Sequence, residues 1–419
     1  MRTGFKDWAG GILGQVGGKI LGRRDRPDLD RGATASRVRN HVVILDGTMS
    51  TLDPGLETNA GLCYRLLRDL PPSAGLSLKY EPGIQWTGLR RVRDIIVGVG
   101  LNRQIRRSYG FIASRYRPGD RIYLLGFSRG GYAVRSLAGM IDRMGLLKAE
   151  HATERMIRQA YRHYQTDPDS RAAAIFTRRY CHVYAPVQMV GVWDTVKSLG
   201  FRVPLLWRLV QALDTAPHAF HNHRLGPSIL HGYHALALDE TRLAFDPVLW
   251  DCPPDFTGHV EQMWFRGTHG DIGGHILDYG AARPLANIPL VWMLDKAEAC
   301  GLDLPDGWRD RFSQDPKAPS VGTMRGWGKA FVIRRRRVVG RDRSEAIHPS
   351  VGHHPLLGAG RQPASEPPQD DLTMGLQPDM TAPGPASEPA PAPKPDAAGM
   401  PQQDDGPSSD HVPVERTQG

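Results

Sequence analysis

A chain of 419 residues with 40% hydrophobic residues has room for one large buried core or two ordinary ones, and its four scattered cysteines (Cys63, Cys181, Cys252, Cys300) argue against a zinc module or a disulfide framework. The net charge of +9 is uneven: from Arg361 onward there are ten acidic and three basic residues, so that segment carries −7 and everything before it +16. Arginines occur throughout without any nucleic-acid-binding motif, so no nucleic acid partner is expected, and an anionic membrane surface is the alternative for the basic body.

Residues 1–40 read as an N-terminal amphipathic segment and connector. Phe5, Trp8, Ile12, Val16 and Ile20 recur every three to four residues, with Lys6, Lys19, Arg23 and Arg24 near the ends. Such a face suits an interfacial membrane helix, or a helix packed on the domain or a partner, although the glycines between these residues weaken any helix. No apolar stretch reaches the ~20 residues of a membrane span, and Lys6, Asp7, Gln15 and Lys19 interrupt the segment where a secretory signal would need an apolar run.

His41 opens HVVIL, a β-branched run suited to a buried parallel strand, which ends in Asp46, Gly47 and Thr48. At the carboxyl end of a strand in an open α/β sheet this turn faces the ligand crevice, so the N–H groups of Gly47 and Thr48 are candidates for half of an oxyanion hole, beside the plain reading of an Asp-Gly turn. Residues 58–70 show helical spacing (Leu62, Tyr64, Leu66, Leu67), 77–80 suit a second short strand, and 88–116 read as an amphipathic helix closed by Pro118 and Gly119. Strand alternating with helix predicts a parallel sheet covered on both faces.

The chemistry centres on RIYLLGFSRGGYAVRSLAGM at 121–140, an apolar strand, then G-F-S-R-G, then helical spacing. This is the nucleophile-elbow order, which puts Ser128 on a sharp turn at the strand end, with Gly126 and Gly130 where strand and helix backbones approach too closely for side chains. The helix start adds the N–H of Arg129 and a positive dipole end where an oxyanion would form. The competing reading is a serine that merely caps a helix.

Downstream, VQMVGVW at 187–193 reads as a strand ending in Asp194 and Thr195, the place where a hydrolase puts the carboxylate that orients its histidine. The next stretch reads as helical and histidine-rich (His218, His221, His223, His231, His234) and carries Asp239 and Glu240; without an H-E-x-x-H spacing it calls for no metal. Residues 260–266 read as the last strand, running into the glycine-rich loop 267–274 that holds His269. Ser128, Asp194 and His269 stand in the order nucleophile, acid, base, with His234 the rival base and Asp271 the rival acid. Residues 285–299 read as one more amphipathic helix. The run Arg334 to Arg337 reads as solvated surface, with phospholipid headgroups or a partner as the alternative. The Pro/Ala/Asp-rich stretch 358–419 reads as a disordered tail, which leaves 41–357 as the catalytic domain.

GDRIYLLGFSRGGYAVRSLAGMI (119–141), VGVWDTVKSLG (190–200), HALALDETRLAF (234–245) and WFRGTHGDIGG (264–274), with the D-G-T at 46–48 and Asn59, resemble the catalytic domain of type VI secretion phospholipase effectors over roughly residues 42–351. The resemblance implies an α/β-hydrolase fold and Ser-Asp-His esterase or phospholipase A chemistry on a lipid or other ester substrate, with no metal or organic cofactor. Carried over, Ser128 is the nucleophile, Asp194 the acid and His269 the base, while His234 also matches a family histidine. The N–H groups of Arg129 and of the Gly47 loop are assigned to the oxyanion. The chain departs from the family at Gly131, where alanine is usual, and at Gly270 and His275 in the last loop. The sequence thus predicts a serine ester hydrolase, cytoplasmic or peripheral on a membrane, with delivery by a secretion system compatible with both. The rival is a non-catalytic binding module on the same scaffold, and a third reading is a membrane-associated protein whose N-terminal stretch and arginine run hold the domain on anionic lipid.

Overall fold

A computed structural model describes residues 38–83, 99–196, 224–325 and 332–352, all within one compact unit, Met1–Pro368. A second unit, Gln369–Gly419, lies outside the described residues, as do residues 1–37 of the expected amphipathic segment, the whole expected tail, the first part of the helix expected over 88–116, and His218, His221 and His223.

Seven strands form one parallel sheet: β1 Asn40–Leu45, β2 Leu76–Glu81, β3 Arg121–Phe127, β4 Val187–Trp193, β5 Ile229–Ala237, β6 His259–Phe265 and β7 Glu345–Ile347, in the order β2-β1-β3-β4-β5-β6-β7. The helices are α1 Asn59–Arg68, α2 Val99–Ala113, α3 Arg129–Met144, α4 Glu154–Thr166, α5 Arg171–Tyr180, α6 His269–Gly273 and α7 Arg283–Ala299. Every residue of β1 is buried because both faces are covered, which is why HVVIL reads as a continuous apolar run and does not alternate with polar residues. Val43 and Leu45 join Leu124, Val190 and Val192 against α2 to α5, while Val42 and Ile44 join Tyr123, Leu125 and Met189 against α1 and α7. Among the described residues, one face of the sheet therefore carries α2 to α5 and the other α1, α7 and the short α6, whose Ile272 joins the second cluster.

The order of strands places the site. From β1 the chain crosses to β2 on one side and returns to β3 on the other, so β1 and β3 flank the point where the winding reverses and a crevice opens beyond their carboxyl ends. The register sets Leu45 opposite Gly126 and Phe127 opposite Trp193, which brings the D-G-T turn, Ser128 and Asp194 to adjacent strand ends. Asn59, at the start of α1, donates through Nδ2 to Ile272 O and Ala286 O, both at 2.9 Å, and so ties α1 to α6 and α7.

The elbow glycines are required by contact. A Cβ on Gly126 would stand 2.7 Å from the carbonyl carbon of Gly130, and one on Gly130 would stand 2.0 Å from Leu45 O. Those neighbours are main-chain atoms of α3 and β1 and cannot turn aside. Gly130→Ala is therefore expected to destabilise the protein by about 3 kcal/mol or more, read as a lowered urea midpoint or loss of soluble protein, whereas the exposed Gly119→Ala site, with no atom within 4 Å, tests only the cost of a positive φ.

Three expectations need correction. The histidine-rich stretch is not helical where it is described: ILHGYHALA forms β5, whose histidines and glycine disguise a strand that is buried at seven of nine positions. The strand at 260–266 is not the last, because β7 pairs with β6 at Gln262, Met263 and Trp264; three residues are too few to leave a periodic signal. The helix at 285–299 is not amphipathic: residues 285–294 are all buried, since Leu302, Trp308 and Ala318 in the irregular segment that follows cover the side away from the sheet.

Candidate active site

Ser128 sits between β3 and α3 with φ 56° and ψ −120°, and Asp194, one residue past β4, has φ 40°. Two non-glycine residues held in this unfavoured region at neighbouring strand ends are a cost of order 1–3 kcal/mol each that the surrounding sheet must hold in place. It does so through main-chain bonds: Ser128 N–H donates to Trp193 O at 3.0 Å, and Asp194 N–H to Ala235 O at 2.7 Å.

His269 opens α6, four residues beyond the end of β6. Its Nε2 lies 2.9 Å from Ser128 Oγ and its Nδ1 lies 2.6 Å from Asp194 Oδ2. The ring is packed between Phe127 and Phe245, with centroids 4.9 and 4.7 Å away, and its main-chain N–H donates to Glu240 Oε2 at 3.2 Å. Ser128 and His269 are each 6% exposed and Asp194 is fully buried, so the three form a continuous hydrogen-bonded chain that is closed to solvent at its carboxylate end. Such a chain can pass a proton from the hydroxyl to the imidazole while the carboxylate fixes the ring.

Asp194 would be pushed up by burial. The guanidinium of Arg337, with the His269 ring, outweighs this and holds it far below the usual carboxylate range. Arg337 donates through Nη1 to Oδ1 at 2.5 Å and through Nη2 to Oδ2 at 2.9 Å, and Ala237 N–H also donates to Oδ1, at 3.0 Å. This arginine belongs to the run expected to be solvated. That expectation holds for Arg334, Arg335 and Arg336, which are exposed, and fails for Arg337, whose side chain is 3% exposed. A buried carboxylate demands a counter-charge, but nothing in four consecutive arginines says which of them turns inward.

The other expected site residues fall as follows. His234 lies on β5, fully buried, where its Nε2 accepts the N–H of Thr195 at 3.1 Å and its ring meets Trp250 edge-on; burial and the nearby charge of Arg135 push it down to about 3. Its structural part here is to hold the strand end that carries Asp194. Asp271 is the N3 residue of α6: its Oδ2 accepts from Thr268 N–H (2.7 Å), Thr268 Oγ1 and Ser320 Oγ, and its Oδ1 from Val321 N–H (2.8 Å), so both oxygens serve the loop and none reaches His269. Arg129 begins α3, directly after Ser128, and burial lowers its guanidinium to about 10. Gly47 donates its N–H to Asp46 Oδ1 at 2.6 Å, which leaves the Thr48 N–H as the donor on that loop not committed to Asp46. Asp46 itself is raised by burial, although Thr58 Oγ1 and Tyr80 OH also donate to it.

Three histidines, His234 fully buried and His275 and His348 half-buried, make stability sensitive to acid. Burial lowers His234 to about 3 and both His275 and His348 to about 4, against an ordinary 6.5. They stay neutral in the fold while the unfolded chain takes up protons, so their stabilisation is complete above about 6.5 and is lost as the pH falls toward 4. The thermal midpoint is expected to fall through this window, and His348→Gln to flatten the fall.

The family model described as T6SS, phospholipase effector Tle1-like, catalytic domain, matches residues 39–296, more than half of the chain. The chain belongs to this family. As a member it carries a lipase-like hydrolase domain of the phospholipase-effector type, and the matched residues include Ser128, Asp194 and His269 but end before Arg337. An uncharacterized protein of Saccharomyces cerevisiae is 29% identical over 213 residues, 45% of this chain and 31% of its own. An uncharacterized protein from Pseudomonas aeruginosa, solved by crystallography, is 14% identical with a TM-score of 0.35, covering 66% of this chain and 49% of that one. The structure of the Tle1 effector bound to the VgrG spike from the type 6 secretion system gives 18% identity and a TM-score of 0.28, covering 57% and 51%. The chain thus spans less than a third of the length of the yeast relative and about half of each solved chain. Among the described residues no helix is long and apolar enough to cross a membrane.

Proposed function

We propose that the chain is a serine ester hydrolase of the phospholipase A type, in which Ser128 is the nucleophile, His269 the general base and Asp194 the carboxylate that orients it. The observation that carries this reading is the hydrogen-bonded chain from Ser128 Oγ to His269 Nε2 and from Nδ1 to Asp194 Oδ2, at 2.9 and 2.6 Å, on a strained strand-to-helix elbow. His269 Nε2 takes the hydroxyl proton as Oγ attacks the ester carbonyl carbon. The oxyanion is met by the N–H of Arg129 at the start of α3 and by the N–H of Thr48 across the crevice. Collapse breaks the C–O bond, and the alcohol leaves with the proton from His269. Water, deprotonated by the same ring, then attacks the acyl-enzyme and releases the carboxylic acid and free Ser128.

The family assignment favours a lipid as the ester, and peripheral membrane contact fits the surface beside the site, where exposed Val332, Ile333 and Val338 flank exposed Arg334, Arg335 and Arg336. Delivery by a type VI secretion system is the corresponding proposal for where it acts. Incubation with phosphatidylcholine and phosphatidylglycerol vesicles, with mass spectrometry of the products, tests the reaction. Equal amounts of fatty acid and lysophospholipid are expected; a folded protein that releases neither, and leaves short acyl esters intact, contradicts it.

A further inference from the structure

Arg337 makes more of the Asp194 carboxylate than a triad needs. An orienting carboxylate requires one good contact with the imidazole and enough donors to hold its plane. Here Oδ2 receives His269 Nδ1 and Arg337 Nη2, and Oδ1 receives Ala237 N–H and Arg337 Nη1, so every side of the group is occupied. The guanidinium is itself fixed, donating through Nη1 to Ala237 O at 2.9 Å and through Nη2 to Phe245 O. Phe245 in turn packs on the His269 ring, so one arginine braces both the carboxylate and a wall of the imidazole slot. With both partners buried, the pair is not screened by solvent, and a two-pronged guanidinium neutralises much of the charge that the carboxylate would otherwise direct at the ring.

We propose that Arg337 is a positioning residue of this site, which locks Asp194 with Oδ2 toward His269 and offsets part of the carboxylate charge that faces the ring. The inference rests on the reading of His269 as general base. The other charged and titratable groups around His269 are Ser128 on the elbow, Glu240 at its main-chain N–H and itself paired with Arg242 at 2.6 Å, His275 beyond α6, and Asp271, which is consumed by Thr268, Ser320 and Val321. None of these is among the four contacts of the Asp194 carboxylate, so a change at position 337 acts on the ring through Asp194.

The test uses the full chain and two readouts. The first is the pH dependence of kcat/KM for a short acyl ester; the second is the titration of the His269 ring followed by NMR of protein carrying 13C-labelled histidine, with His269→Gln to assign the signal. Arg337→Met is expected to move the acid limb of the profile and the ring titration upward together by about one pH unit, which below the limb is about a tenfold loss. Arg337→Lys retains a charge without the two-pronged geometry, and is expected to lower kcat several-fold with the limb moved much less. Should the methionine variant not fold, Arg337→Gln, which keeps a donor for the carbonyls, gives the same neutral-side-chain readout. Both titrations unmoved in a folded neutral variant, with only stability reduced, would mean that Arg337 is a structural brace and overturn the inference. A ring titration that moves in a protein showing no ester hydrolysis supports the coupling and instead removes the hydrolase reading.

Discussion

Ser128→Ala is expected to lower ester turnover by about 10,000-fold or more while leaving the fold unchanged. The hydroxyl is the only part of the side chain lost, and among the described residues its hydrogen-bond partner is His269 Nε2 at 2.9 Å. As the N-cap of α3, Ser128 makes no side-chain cap bond, so alanine removes no support from the helix. The backbone there is strained by its positive φ with either residue. Circular dichroism and the urea midpoint should therefore match the parent, and only kcat should fall. A variant that is folded and retains more than a few per cent of turnover would place the nucleophile elsewhere.

Asp194→Asn is expected to cost both activity and stability, which separates it from the serine variant. The carboxamide turns an N–H₂ or a neutral oxygen toward His269, favours the wrong tautomer of the ring and should lower kcat by about 10,000-fold. It also leaves the guanidinium of Arg337 buried, with its charge uncompensated, and removing one member of such a pair costs about 3–5 kcal/mol. The urea midpoint should fall accordingly with the slope of the transition unchanged. Replacing both residues, Asp194→Asn with Arg337→Met, should recover much of the stability and none of the activity, because the stability loss arises from the stranded charge and the activity loss from the missing carboxylate. Equal stability of Asp194→Asn and the parent would mean that water or another anion reaches Arg337.

Much of this site is legible in the sequence because its chemistry is local. The elbow is a contiguous strand, G-x-S-x-G and helix, and the glycines at 126 and 130 are dictated by main-chain atoms within 2.7 Å, so the pattern cannot vary freely. Asp194 directly follows the apolar run VQMVGVW, and His269 stands in a glycine-rich loop at the end of another such run. What could not be read depends on contacts distant in sequence. His234 and His269 both follow apolar context and match motifs; only the register of β5 against β4 turns His234 onto the N–H of Thr195 and away from Ser128. Asp271 looks like a second acid two residues after His269, yet at the third position of a short helix it is spent on capping. Arg337 is separated from Asp194 by 143 residues and is indistinguishable in sequence from its three exposed neighbours. β5 is hidden for the same reason: a strand that buries a histidine against a main-chain N–H, as His234 is buried against Thr195, does not look apolar.

The most direct measurement is covalent labelling of the purified full chain with a fluorophosphonate, followed by peptide mass spectrometry to locate the adduct. A single adduct on Ser128, slowed at least a hundredfold in His269→Ala, is the expected result, since the reagent reports a serine activated by its own base. A folded protein that takes up no label, or takes it at another serine with Ser128 untouched, would contradict the assignment of Ser128, His269 and Asp194 as a working triad.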